Sequence, residues 1–83
     1  MPSGSKPVPG ALTQTVAGII DEALKRRGKP QRWLGDRAGI SQRQVSRYML
    51  GEKSPTIDQV DDMCNVLGLD FVAVMIQADA ARR

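Results

Sequence analysis

The 83-residue chain carries 12 Lys and Arg against 9 Asp and Glu, and 41% of its residues are hydrophobic, so one small domain around one core is expected. That length excludes a large enzyme; the single cysteine, Cys64, excludes an internal disulfide and a structural zinc site, and the lack of histidine removes the commonest general base and metal ligand. No apolar run approaches the roughly 20 residues of a membrane span, and the first ten residues hold no signal core, so the expectation is a soluble, cytoplasmic binding protein with no metal, cofactor or small-molecule ligand.

Residues 1–10, MPSGSKPVPG, combine three Pro with Gly and Ser and offer little to bury, which predicts a flexible arm; its Lys6 could touch phosphate or a minor groove, though a disordered tail without a role is the simpler reading. From Ala11, the residues Leu12, Val16, Ile19, Ile20, Ala23 and Leu24 recur at helical spacing, and the helix they predict ends in Lys25-Arg26-Arg27 before Gly28. Pro30 suits the first position of a short second helix running to Ala38 with Leu34 inward, and Gly35 within it implies the close passage of another backbone. Ala38-Gly39-Ile40-Ser41 reads as a tight corner in which Gly39 takes positive φ, Ile40 plugs the core and Ser41 caps a third helix. Ser41 and Gln44 match a capping box.

The third helix is expected to reach about Leu50, with Val45, Tyr48 and Met49 inward and Gln42, Arg43, Ser46 and Arg47 on its outer side. Gly51 to Pro55 breaks the chain, and Thr56 with Gln59 forms a second capping box that opens a fourth helix. That helix should bury Ile57, Val60, Met63, Cys64 and Leu67 and stop at Gly68. Asp70 can cap a last helix from Phe71 to Ala80, although Phe71 to Ile76 also alternates as a strand would. Its apolar residues Phe71, Val72, Met75 and Ile76 exceed what the core needs, so they are expected at a homodimer interface. The chain then divides into the arm 1–10, a domain 11–80 and a short tail 81–83.

Charge is segregated. Residues 25–53 hold nine basic and two acidic side chains, net +7, whereas residues 1–24 carry −1 and residues 54–83 carry −3. Such a block resembles the footprint of a site for a polyanion, with a solvated surface as the plain alternative, and it is carried on two short helices joined by a glycine corner, the layout of a helix-turn-helix. The stretch QRWLGDRAGISQRQVSRYMLGEKSPTIDQVDDMCNVLGLD resembles the Cro/C1-type, lambda-repressor-like helix-turn-helix family. Gln31, Leu34, the Ala38-to-Ser41 turn, Val45-Ser46, Gly51 to Pro55 and Leu67-Gly68-Leu69 carry the match. The chain departs from the family at Gly35, where alanine is usual, and at Tyr48, where another apolar residue often packs.

The resemblance implies an all-α, compact five-helix domain and a transcriptional regulator, a repressor in the simplest case, that binds a double-stranded DNA operator as a homodimer. Its third helix would enter the major groove and read bases through Gln42, Arg43, Gln44, Ser46 and Arg47, where Arg can pair with guanine and Gln with adenine. Gln31, Arg32, Ser41 and Lys53 would hold phosphates and so position the protein without specifying sequence. Trp33 could stack on a sugar, with a half-buried brace between helices the simpler role. A protein-interaction adaptor or antirepressor on the same fold is the alternative that the +7 block argues against. An enzyme is not expected: the acids Asp61 and Asp62 are chain neighbours that diverge by about 100° on a helix and cannot act on one atom.

Overall fold

Local capping signals and 3.6-residue apolar spacing place every helix. The computed structural model describes residues 10–82, and in it run α1 (Ala11–Arg26), α2 (Gln31–Ala38), α3 (Gln42–Met49), α4 (Ile57–Leu67) and α5 (Phe71–Ala81). There is no strand among the described residues, so the all-α, five-helix expectation holds and the strand alternative for residues 71–76 is set aside. Residues 1–9 of the expected arm, with Lys6, lie outside the described residues, and α5 continues one residue beyond the expected boundary at Ala80.

On α1 the expected stripe is buried at Val16, Ile20, Ala23 and Leu24, with Ala17 joining it and Leu12 and Ile19 half-buried against the core. Gly28 turns the chain at φ +66°, a left-handed value that costs a residue with a Cβ but not glycine. Pro30 stands one position earlier than expected, as the N-cap of α2 rather than its first residue. The crossing of α2 over α3 depends on Gly35. A Cβ there would collide with the Ile40 carbonyl oxygen, and the Ile40 amide donates back to the Gly35 carbonyl at 2.9 Å. Backbone therefore packs on backbone, the reason a glycine sits inside a helix it weakens by about 1 kcal/mol.

The two capping boxes differ. Ser41 Oγ accepts from the Gln44 amide at 3.2 Å, but the return bond from Gln44 is missing, and Gln44 Oε1 is buried without a partner. The expected box at α3 is thus half formed. At α4 both bonds are present: Gln59 N donates to Thr56 Oγ1 at 3.0 Å and Thr56 N to Gln59 Oε1 at 2.9 Å. The same Gln59 oxygen accepts from the Tyr48 hydroxyl at 2.7 Å, tying α3 to α4 and giving the buried phenol the polar partner it requires.

Val60, Met63, Cys64 and Leu67 line the buried side of α4, and Gly68 ends it at φ +71°. Ile57, expected on that stripe, is instead 73% exposed at the first position of the helix, where it lines a shallow cleft with Leu12, Val16 and Met75. Burial raises the Cys64 thiol above its usual range, aided by the nearby charges of Asp61 and Asp70, so the thiol stays neutral and acts as a small core hydrophobe. Asp70 Oδ1 accepts from the Val72 amide at 3.0 Å and starts α5, which packs against α1 and α4. α5 buries Val74 and Ala78, half-buries Phe71 and Met75, and leaves Val72 and Ile76 60% and 66% exposed. No single helix among the described residues is long and apolar enough to cross a membrane.

Candidate nucleic-acid interface

Rotation at 100° per residue separates α3 into two sides. Val45 and Tyr48 anchor one to the core, both almost fully buried. Gln42 and Arg43, in the first turn, are exposed on the other side, and Ser46 and Arg47 follow one turn later, half-buried at their bases. Arg43 and the exposed Lys53, just beyond the helix, have no ion-pair partner among the described residues, so both cations are available to an external anion. Arg47 differs: its Nε lies 3.9 Å from Glu52 Oε1, and the Glu52 amide donates to the Arg47 carbonyl at 2.9 Å.

Gln44 does not join this set. It lies one turn before Tyr48 on the core side, and its amide oxygen is enclosed by protein, so of the five expected base-contacting residues the structure brings together Gln42, Arg43, Ser46 and Arg47 on one outward face. The corner supplies the phosphate-holding candidates. Gln31 opens α2 half-buried, at an N-terminus whose unpaired amides and dipole favour an anion. Ser41 uses its hydroxyl oxygen as the cap acceptor, which leaves the hydroxyl proton free to donate. Arg32 sits on a different flank of α2, with Nε 4.0 Å from Asp36 Oδ2, and that exposed pair is too loose to hold it.

A family model described as helix-turn-helix matches residues 20–74, from the middle of α1 into α5. The chain belongs to the Cro/C1-type helix-turn-helix family. Members of this family are DNA-binding transcription regulators. No curated protein sequence matches the chain. Among solved structures, the clp gene regulator ClgR from Corynebacterium glutamicum superposes with a TM-score of 0.77 at 21% identity, over 90% of this chain and 79% of that one. The restriction-modification controller protein C.Esp1396I gives a TM-score of 0.74 at 16% identity, over 84% of this chain and 94% of the other. A hypothetical transcription factor, NHTF from Neisseria, gives 0.72 at 16% identity, over 86% and 84%. At such identities these three share the fold.

Two features of this helix-turn-helix escaped the sequence. The approach of Glu52 to Arg47 spans the end of α3, where helical spacing no longer says which residues are neighbours. The Tyr48–Gln59 bond joins residues on separate helices across a loop, and only the chemistry of a buried phenol hinted that some acceptor had to be near.

Proposed function

We propose that this chain is a sequence-specific double-stranded DNA-binding repressor that acts as a homodimer, with α3 lying in the major groove. The observation that carries the reading is the outward face of α3: Gln42 and the unpaired Arg43 stand exposed in its first turn, with Ser46 and Arg47 behind them. An α-helix fits that groove with its N-terminal turn deepest, and Arg donates bidentately to guanine while Gln pairs with adenine. Gln31 and Ser41 on the corner, and Lys53 beyond α3, flank the reading face and suit the two phosphate walls of the groove. One protomer reads few base pairs, so two copies on half-sites roughly 34 Å apart supply useful selectivity, joined through the exposed Val72 and Ile76 of α5 with Phe71 and Met75 beneath. Occupancy of a promoter is then the simplest route to repression, and the shared fold of two named regulators supports a regulatory role.

Selection of bound duplexes from a random library tests this reading, and a two-fold symmetric motif is the expected product. The variant Arg43→Ala/Arg47→Ala should remain helical by circular dichroism and lose at least about tenfold in preference for that motif over random duplex, since each good base pair contributes roughly 1–3 kcal/mol. An unchanged preference would remove α3 as the reader.

A further inference from the structure

A second concentration of charge lies away from α3. Trp33 of α2 is half-buried, and three cations surround its ring: the Arg37 guanidinium at 4.9 Å from the ring centre, the Arg27 guanidinium at 5.6 Å and the Lys29 ammonium at 5.6 Å. They come from the end of α1, the following turn and the last turn of α2, and Arg27, Arg37 and Trp33 line an open cleft with Val66 of α4. Arg27 is held in place by a 3.0 Å bond from its Nη1 to the Val66 carbonyl. Of the acids nearby in sequence, Asp21 pairs with Lys25 at 3.0 Å and Asp36 lies 4.0 Å from Arg32, while the exposed Glu22 has no ion pair among the described residues. None of the three cations at the ring has an ion-pair partner among the described residues.

Position separates this cluster from the reading face. Gly35 meets the α3 side of α2, and Trp33 and Arg37, two residues to either side of it, point about 160° round the helix from it. Three like charges gathered on one indole repel one another, and the ring's attraction relieves only part of that repulsion. A bound anion relieves the rest. Cations already lie against the ring, which argues against a base stacking there, whereas the guanidinium forks have donors to spare for phosphate oxygens.

We propose that Arg27, Lys29 and Arg37, braced on Trp33, form a second phosphate-binding site that holds the backbone of a nucleic-acid segment outside the groove occupied by α3. The DNA-binding reading enters only in naming the polyanion; the same +7 stretch of chain runs from this cluster to α3, so one kind of ligand suits both.

Trp33 is the sole tryptophan, so the tryptophan emission comes from this cluster. The full chain is titrated at low salt with a 20-base-pair duplex of random sequence, with inorganic pyrophosphate and with a glutamate-rich peptide, and the midpoint of the Trp33 emission change is read. The duplex is expected to move the emission in the parent chain and in Arg43→Ala/Arg47→Ala alike. Lys29→Ala/Arg37→Ala, two exposed positions, should shift the duplex midpoint at least about tenfold higher while keeping the preference for the selected motif. The proposal is overturned if the duplex leaves Trp33 unmoved, if Lys29→Ala/Arg37→Ala keeps the parent midpoint, or if the response disappears in Arg43→Ala/Arg47→Ala, which would make it an echo of the α3 site. It is equally overturned if pyrophosphate or the peptide acts where the duplex does not, assigning the cluster to a free phosphate or to a protein. Failure of α3 as the reader would show as an unchanged motif preference in Arg43→Ala/Arg47→Ala, with the Trp33 response intact.

Discussion

At Gly35 a single missing methyl group decides how two helices meet. The family resemblance leads one to expect alanine there, yet here the Ile40 carbonyl occupies the space a Cβ would need, and the Val45 side chain closes the same spot at 3.4 Å. The sequence announced the close approach, because a glycine inside a short helix has few other reasons to persist; which backbone comes near follows only from the turn that carries Ile40 back across α2. Gly35→Ala should therefore destabilise the fold. Its gain of about 1 kcal/mol in helix propensity is outweighed by an overpacking cost of about 1–3 kcal/mol, since the obstacle is backbone and cannot rotate aside. Thermal denaturation followed by circular dichroism should show a melting temperature lower by several degrees, given about 4–8 °C per kcal/mol for a domain of this size. A Tm equal to or above the parent's would mean that α2 moves off Ile40 at no cost.

Elements were legible in the sequence where their signals were local, and less so where a neighbour on another element decided the outcome. Thr56 and Gln59 state their capping box in four residues and the structure builds it, whereas Ser41 and Gln44 carry the same pattern and complete only half, because the Gln44 side chain is enclosed on the core side of α3. Ile57 fits the apolar stripe of α4 by period, yet it stays exposed at the edge of a shallow cleft that it lines with Leu12 of α1 and Met75 of α5. α5 is apolar nearly all round, so period alone could not separate helix from strand, and the Asp70 cap was the better guide. The outward side of α3 was visible as a polar stripe, but not the hold of Glu52 on Arg47. That hold makes a prediction about the helix as a reader. Glu52→Gln releases Arg47 and removes a negative charge from the rim of the proposed reading face, so binding to duplexes of every sequence should tighten, and the slope of log K against log salt should steepen by up to about one unit. Stability should change by less than about 1 kcal/mol, as the pair is partly exposed. Gel shifts at three salt concentrations measure the affinity and its slope, and an unaltered affinity and slope would mean that the Glu52 charge and its hold on Arg47 do not bear on DNA binding.

For the whole molecule, the sequence already carried the division between a basic middle and an acidic C-terminal third, and folding turns it into separate surfaces: cations without an ion pair among the described residues lie on α3 and its following loop, round Trp33 and at Arg26, while α5 presents bare apolar residues. Assembly is the property that a single chain states least directly, because an exposed Val72 and Ile76 say that something can cover them without saying what. The proposed pairing of two protomers through α5 makes the choice testable. Val72 and Ile76 lie one turn apart on one side of the helix and contribute little to the protomer core, so Val72→Ser/Ile76→Ser should keep the parent melting temperature to within a few degrees. Sedimentation at micromolar concentration should show the parent as a dimer and the variant as a monomer. Once one half-site is occupied, the linked protomer meets the other at high effective concentration, an advantage of about 10²–10⁴ in affinity that the variant forfeits on a two-fold operator. On an isolated half-site the two proteins should bind alike, which separates loss of pairing from damage to α3. A parent chain that sediments as a monomer, or a variant that binds the full operator as tightly as the parent, would mean that α5 does not join the reading heads.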